Sequence, residues 1–97
     1  MNIEKSINDN TVILKLDGWL DTTSANELQA QLEALEPDTM SLILDLDKLE
    51  YISSAGLRQF VAAHKRVNGS LVLTHVHQEV MDVLHMAGFD KRLHIEP

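Results

Sequence analysis

Ser53 and Ser54 stand side by side in the run YISSAGLRQF, between an apolar segment and the start of a helical pattern. Two chemistries suit hydroxyls at that place. A serine at a helix start can accept a hydrogen bond from one of the unpaired N–H groups of the first turn, a cap worth ~1 kcal/mol. The same position can also carry a phosphate, because free N–H groups and the positive end of the helix dipole accommodate an anion without unfolding the helix. A phosphoserine places about −1.5 to −2 charges at one surface point, which repels a partner docked over it through apolar or acidic groups. Gly56 lies just inside this helix, where glycine costs up to ~1 kcal/mol of propensity. Its missing side chain would let a partner or kinase backbone approach closely.

Other residue pairs offer weaker chemistry. Asp45 and Asp47 in LDLDK follow an apolar strand and could supply paired carboxylates to a phosphatase with an aspartyl nucleophile. That reaction also needs a magnesium site, a further lysine and a cap region, for which 97 residues leave little chain. A solvated strand end is the simpler account. His75 and His77 alternate along a strand and could share a face, but no third metal ligand lies nearby in sequence. No GxSxG elbow, Walker loop or GxGxxG fingerprint is present. The chain has no cysteine, which excludes disulfides, thiolate zinc sites and cysteine nucleophiles.

A formal net charge of −7 argues against sequence-independent binding to nucleic acid or to an anionic membrane. No apolar run approaches the ~20 residues that span a bilayer, and MNIEKSINDN lacks a basic stretch followed by an apolar core. The expected setting is the cytoplasm, the expected partners are proteins, and no cofactor is implied.

The elements that must position these residues follow from hydrophobic spacing. NIEKSI and TVILKL flank Asn8, Asp9 and Asn10, which predicts a hairpin. After Gly18, Ala25, Leu28, Leu32 and Leu35 recur at the spacing of one helical face, with Ser24 and Glu27 as a capping box and Pro37 beyond the end. SLILDL (Ser41–Leu46) reads as a strand buried on both faces. Leu57, Phe60, Val61 and Val67 point inward from a second helix that closes near Asn68 and Gly69. SLVLTHV is a further strand, QEVMDVLHMAG a third helix with Val80, Leu84 and Ala87 on one side, and RLHI a terminal strand. The order β-β-α-β-α-β-α-β predicts an α/β fold, helices on a largely parallel sheet with an antiparallel entry strand. No repeat or linker divides residues 1–97, so a single domain is expected.

With these elements in place, LILDLDKLEYISSAGLR resembles the signature of the STAS domain, and in particular the anti-sigma factor antagonists of bacterial partner-switching systems. LDGWLDTTSANEL resembles the family's Gly-x-Leu-Asp segment, here Gly18, Leu20 and Asp21, leading into its first helix. The resemblance implies a mixed four- to five-stranded sheet with helices mainly on one face and no catalysis. It implies that the unphosphorylated protein, a monomer when free, binds an anti-sigma factor that is also a serine kinase of the histidine-kinase-like ATPase fold. That binding frees the held target, phosphorylation by the kinase breaks the complex, and a PP2C-type phosphatase restores it. Aligned on Gly56 and Leu57, the acceptor falls at Ser54, with Ser53 as second choice because it stands where many members carry Asp. Asp21, Ser53, Ser54, Gly56 and Leu57 are then expected on the partner surface, with a loop or capping aspartate as the alternative reading of Asp21. Arg58 joins them as the start of a basic stripe, running to Lys65 with Arg66 to its side, that begins one turn after the serines. The same domain type also serves as a non-switching accessory subunit that binds an ABC-transporter ATPase in lipid transport. Trp19, the single tryptophan, is expected as core or rim packing, with an exposed docking role as the alternative.

Overall fold

The computed structural model describes residues 1–97. Its first strands, β1 (Asn2–Asn8) and β2 (Thr11–Leu20), pair antiparallel across a two-residue turn. Asp9 takes φ 55° there, the left-handed conformation that Asp tolerates and that such turns require. The chain then alternates through α1 (Thr22–Glu33), β3 (Ser41–Ile52), α2 (Ser54–Arg66), β4 (Leu71–Thr74), α3 (Gln78–Met86) and β5 (His94–Ile95), the order expected from hydrophobic spacing.

The strands lie side by side in chain order, with β2 through β5 mutually parallel. Each crossover therefore advances in the same direction, and the right-handed rule for such connections sends all three helices to one face. Burial follows this division. Val12, Leu14, Leu16, Leu42, Leu44, Leu46, Leu71 and Leu73 are buried beneath the helices, while Ile13, Lys15, Ile43, Asp45, Val72 and Thr74 line an open face. The expected two-sided burial of Ser41–Leu46 is thus corrected: β3 is covered on one side only.

β3 is also longer than its apolar run. Lys15 pairs with Asp45 but Asp17 with Lys48, and Gly18 pairs with Leu49 but Trp19 with Tyr51. Each shift inserts one extra residue into β3. Its buried residues consequently step by three, Leu46, Leu49 and Ile52, and the alternation that marks a strand disappears from the sequence. Gly18 sits at the second irregularity with φ 114°, a backbone open mainly to glycine.

The helices bury the stripes that drive their formation. Ala25, Leu28 and Leu32 of α1, with Leu35 beyond it, enter the core, as do Val80 and Leu84 of α3. Ala87, expected beside them, is exposed because α3 has already ended. On α2 the inward stripe is Gly56, Phe60, Ala63 and Val67, whereas Leu57 and Val61 are half-buried at its margin. Arg66 donates to the carbonyls of Leu35 (3.4 Å) and Glu36 (2.9 Å), so it closes the C-terminal end of α1 and is not available as part of the basic stripe.

Gly56 owes its identity to packing. A Cβ there would lie 2.7 Å from Cγ of Leu20, 2.8 Å from its Cδ2 and 3.0 Å from Cγ1 of Ile52. Leu20 is fully buried, so it has little room to yield. Overpacking of this kind costs about 1–3 kcal/mol, against the ~1 kcal/mol that alanine contributes to a helix over glycine. Gly56→Ala is expected to lower the midpoint of urea unfolding despite its better helix propensity, and Gly56→Val to lower it further. A raised midpoint for Gly56→Ala would refute the packing account.

Candidate functional site

The parallel pairing of β2 with β3 ends with Leu20 opposite Ile52. One residue later both chains turn into helices, and Asp21 caps α1 while Ser53 caps α2. The Ser53 N–H donates to the Leu20 carbonyl at 2.9 Å, which ties the two turns together. Two helix N-termini, each the positive end of a helix dipole, therefore lie side by side at the C-terminal edge of the sheet.

The two serines differ in what their hydroxyls do. Ser53 Oγ accepts the Gly56 N–H at 3.2 Å and closes the first turn of α2. Ser54 is the first helical residue, is exposed, and has no hydrogen-bond partner for its hydroxyl in the protein. Its own N–H and that of Ala55 precede the first helical bond, which runs from Leu57 N–H to the Ser53 carbonyl (2.9 Å). A phosphate on Ser54 would meet these donors, with the exposed Arg58 one turn along the same face.

Asp21 is engaged from two directions. Its Oδ1 accepts the Ser24 N–H (2.9 Å) and the Ser24 hydroxyl lies 3.0 Å away, while its own N–H donates to Ser24 Oγ (2.8 Å). Ser24 Oγ also reaches the Trp19 carbonyl at 2.6 Å. The capping box is thus Asp21 with Ser24, three residues upstream of the expected Ser24–Glu27 pair. The bonds from Ser24, its N–H first and then its hydroxyl, hold the Asp21 carboxyl below its ordinary pKa.

One expected partner residue is corrected by its surroundings. Gly56 is buried against Leu20 and Ile52, so it offers no surface to a partner. Leu57 is half-buried and packs against the core. Asp21, Ser54 and Arg58 are exposed, and Ser53 lies between the two conditions. Trp19 is 58% exposed and stands against Tyr51, which removes the core reading and leaves rim packing or docking. Alternation was the available signal, because Leu14, Leu16 and Leu20 take the inward positions of β2 and leave Trp19 on the other face.

The other pairs do not converge. β4 ends at Thr74 and His75 takes φ 55°, so the expected alternation of His75 and His77 is lost. His75 Nδ1 contacts Asp45 Oδ1 at 3.0 Å, while the His77 ring donates to the Asp47 carbonyl. Asp45 Oδ1 also accepts the Asp47 N–H (3.1 Å), which makes the aspartate pair a local turn at the strand's irregularity. No three His, Asp or Glu side chains gather where they could hold a metal ion, and no helix is long and apolar enough to cross a membrane.

The STAS domain family matches residues 2–97. The chain belongs to the STAS family. Among curated relatives of this STAS chain, BtrV of Bordetella bronchiseptica, a protein named for an anti-sigma factor antagonist role, is 36% identical over 85 residues, covering 84% of this chain and 73% of BtrV. The fold matches an anti-sigma factor antagonist from Mycobacterium paratuberculosis with a TM-score of 0.87, at 20% identity over 99% of this chain and 85% of that one. It also matches the Bacillus cell fate determinant SpoIIAA in the unphosphorylated form (TM-score 0.75, 13% identity, 97% and 86% coverage) and in the phosphorylated form (0.76, 15%, 97% and 90%). The five-stranded mixed sheet with its helices on one face is the STAS arrangement.

The unequal hydroxyls predict unequal substitutions. Ser53→Ala should cost ~1 kcal/mol in chemical unfolding, whereas Ser54→Ala should fall within about 0.5 kcal/mol of the wild type. Equal costs would contradict the capping assignment. The depressed pKa of Asp21 stabilises the fold fully above the ordinary aspartate range, and that contribution is lost as pH falls through the folded value. Melting temperatures measured between about pH 5 and pH 2 should therefore decline less steeply for Asp21→Asn than for the wild type.

Proposed function

We propose that this STAS chain is a regulatory binding protein of the anti-sigma factor antagonist type, switched by phosphorylation of Ser54. The observation that carries this reading is the division between adjacent serines: Ser53 holds the α2 cap, and Ser54 presents an exposed, unengaged hydroxyl at the first helical position. A modification at Ser54 leaves the cap intact, so the fold survives in both states.

In this proposal the unmodified chain binds an anti-sigma factor that is also a serine kinase of the histidine-kinase-like ATPase fold, and thereby releases the target that factor holds. The partner seats over the adjoining N-termini of α1 and α2, with Asp21, Ser54 and Arg58 at its rim. Transfer of phosphate to Ser54 adds about −1.5 to −2 charges beside the ionised Asp21 at a surface whose partner was fitted to a neutral hydroxyl. Burying that unpaired charge under the partner costs several kcal/mol, more than the ~1.4 kcal/mol of a tenfold loss in affinity. A PP2C-type phosphatase restores the binding state. The chain supplies no catalysis of its own, and the cytoplasm is its setting. The relation to BtrV supports the antagonist reading. SpoIIAA, solved in both phosphorylation states with similar resemblance to this chain, supports a switch that keeps the fold.

The test is a pull-down from the native host with wild type, Ser54→Ala and Ser54→Asp as baits. Wild type and Ser54→Ala should retain an ATPase-fold kinase, and Ser54→Asp should retain at least about tenfold less. Phosphopeptides of the wild-type bait should carry the phosphate on Ser54. Equal retention by Ser54→Asp would overturn the switch, and a transporter ATPase retained by all three baits would establish the non-switching accessory role instead.

A further inference from the structure

We propose that Trp19 and Tyr51 are the docking anchor of this chain: an aromatic pair that enters an apolar recess, rimmed by Lys and Arg, on the protein partner whose binding Ser54 controls. The proposal rests on the reading of Ser54 given above and names the surface that supplies affinity to it.

The protein contains four aromatic side chains. Phe60 is fully buried and Phe89 half-buried, yet Trp19 and Tyr51 are 58% and 44% exposed. The two exposed rings are register partners across β2 and β3, with centroids 5.2 Å apart and planes tilted by 36°. Leu20 and Ile52, next in each strand, point into the core, so the rings project from the opposite, helix-free side of the sheet. A cross-strand aromatic pair adds only modestly to a sheet, which does not require that both rings remain in water. A rigid pair already held together loses little rotamer freedom on binding, and Trp and Tyr are the residue types that most often dominate protein interfaces.

Position and charge select the occupant. Trp19 lies two residues before the Asp21 cap, and Tyr51 two before the Ser53 cap, so the pair adjoins the rim that the phosphate would alter. The exposed charged residues along the two strands and at the α1 cap are Asp17, Asp21, Asp47 and Glu50, against Lys15 and Lys48, so acidic groups predominate. Asp17, Asp47 and Glu50 also line a shallow depression that runs to the start of α3. An acidic collar around an apolar knob fits a partner with an apolar recess inside a basic rim. Asp17 and Asp47 lie further back along the strands than the rings, so the basic rim meets the strands while Ser54 faces a separate part of the partner.

The test adds Trp19→Ala, Tyr51→Ala and Met86→Ala to the three baits above, each checked for the wild-type circular dichroism spectrum. Met86 is an exposed apolar control on α3, 87% accessible. Trp19→Ala and Tyr51→Ala should each retain at least about tenfold less ATPase, and Met86→Ala should match the wild type. A second measurement needs no variant: hydroxyl-radical footprinting of the wild-type complex should protect Trp19 and Tyr51 from oxidation and leave Met86 unprotected. Undiminished retention by the aromatic variants, with loss in Ser54→Asp, overturns the anchor and leaves the switch standing. Loss in the aromatic variants with full retention by Ser54→Asp supports the anchor and overturns the switch. Capture of no ATPase by the wild type overturns both. A wild-type dimer in sedimentation that Trp19→Ala converts to monomer assigns the pair to a second copy of this chain and overturns the anchor.

Discussion

The contact on which the rest of the structure depends is the fit of Gly56 against Leu20 and Ile52. Leu20 and Ile52 face each other at the ends of two parallel strands, and the first turn of α2 comes down onto both. A side chain at residue 56 would hold that turn away from the sheet edge. Its absence lets α2 begin directly above β3, with Ser53 tied to the Leu20 carbonyl and Ser54 turned to solvent. The exposed hydroxyl is therefore a product of close packing inside the molecule.

The same contact sets the electrostatics of the edge. Parallel neighbours must turn into their helices at the same level, so the N-termini of α1 and α2 share one rim. Each cap neutralises part of its helix's unpaired N–H groups, through Asp21 on α1 and Ser53 on α2. The α1 cap carries a negative charge and the α2 cap does not. That asymmetry leaves the α2 terminus the one better suited to a further anion, and Arg58 strengthens it.

Much of this was legible in the chain. The order of elements and the inward residues of α1 followed from 3.6-residue spacing, because burial on one face imposes that period directly. The capping serine was legible from SSAGL, since a cap needs only local backbone N–H groups. Where the reading failed, a non-local partner was responsible. The extra residues in β3 erase its alternation, and only the pairing with β2 reveals them. The cap at Asp21, three residues before the expected one, is a local exception: the Ser24 hydroxyl turns back to the Asp21 N–H and the Trp19 carbonyl. Gly56 was expected to admit a partner, yet the groups that crowd it come from residues 36 and 4 positions away.

The sequence by itself determined the class of fold, the family resemblance and the place of the two serines, because hydrophobic period, turn chemistry and short motifs are local properties. Only the tertiary structure decided which hydroxyl is occupied, which face of the sheet is open, and that Trp19 and Tyr51 meet in water at its edge. Those outcomes depend on strand register and on all three crossovers having the same hand. Such relations join residues distant in sequence, and no local pattern records them.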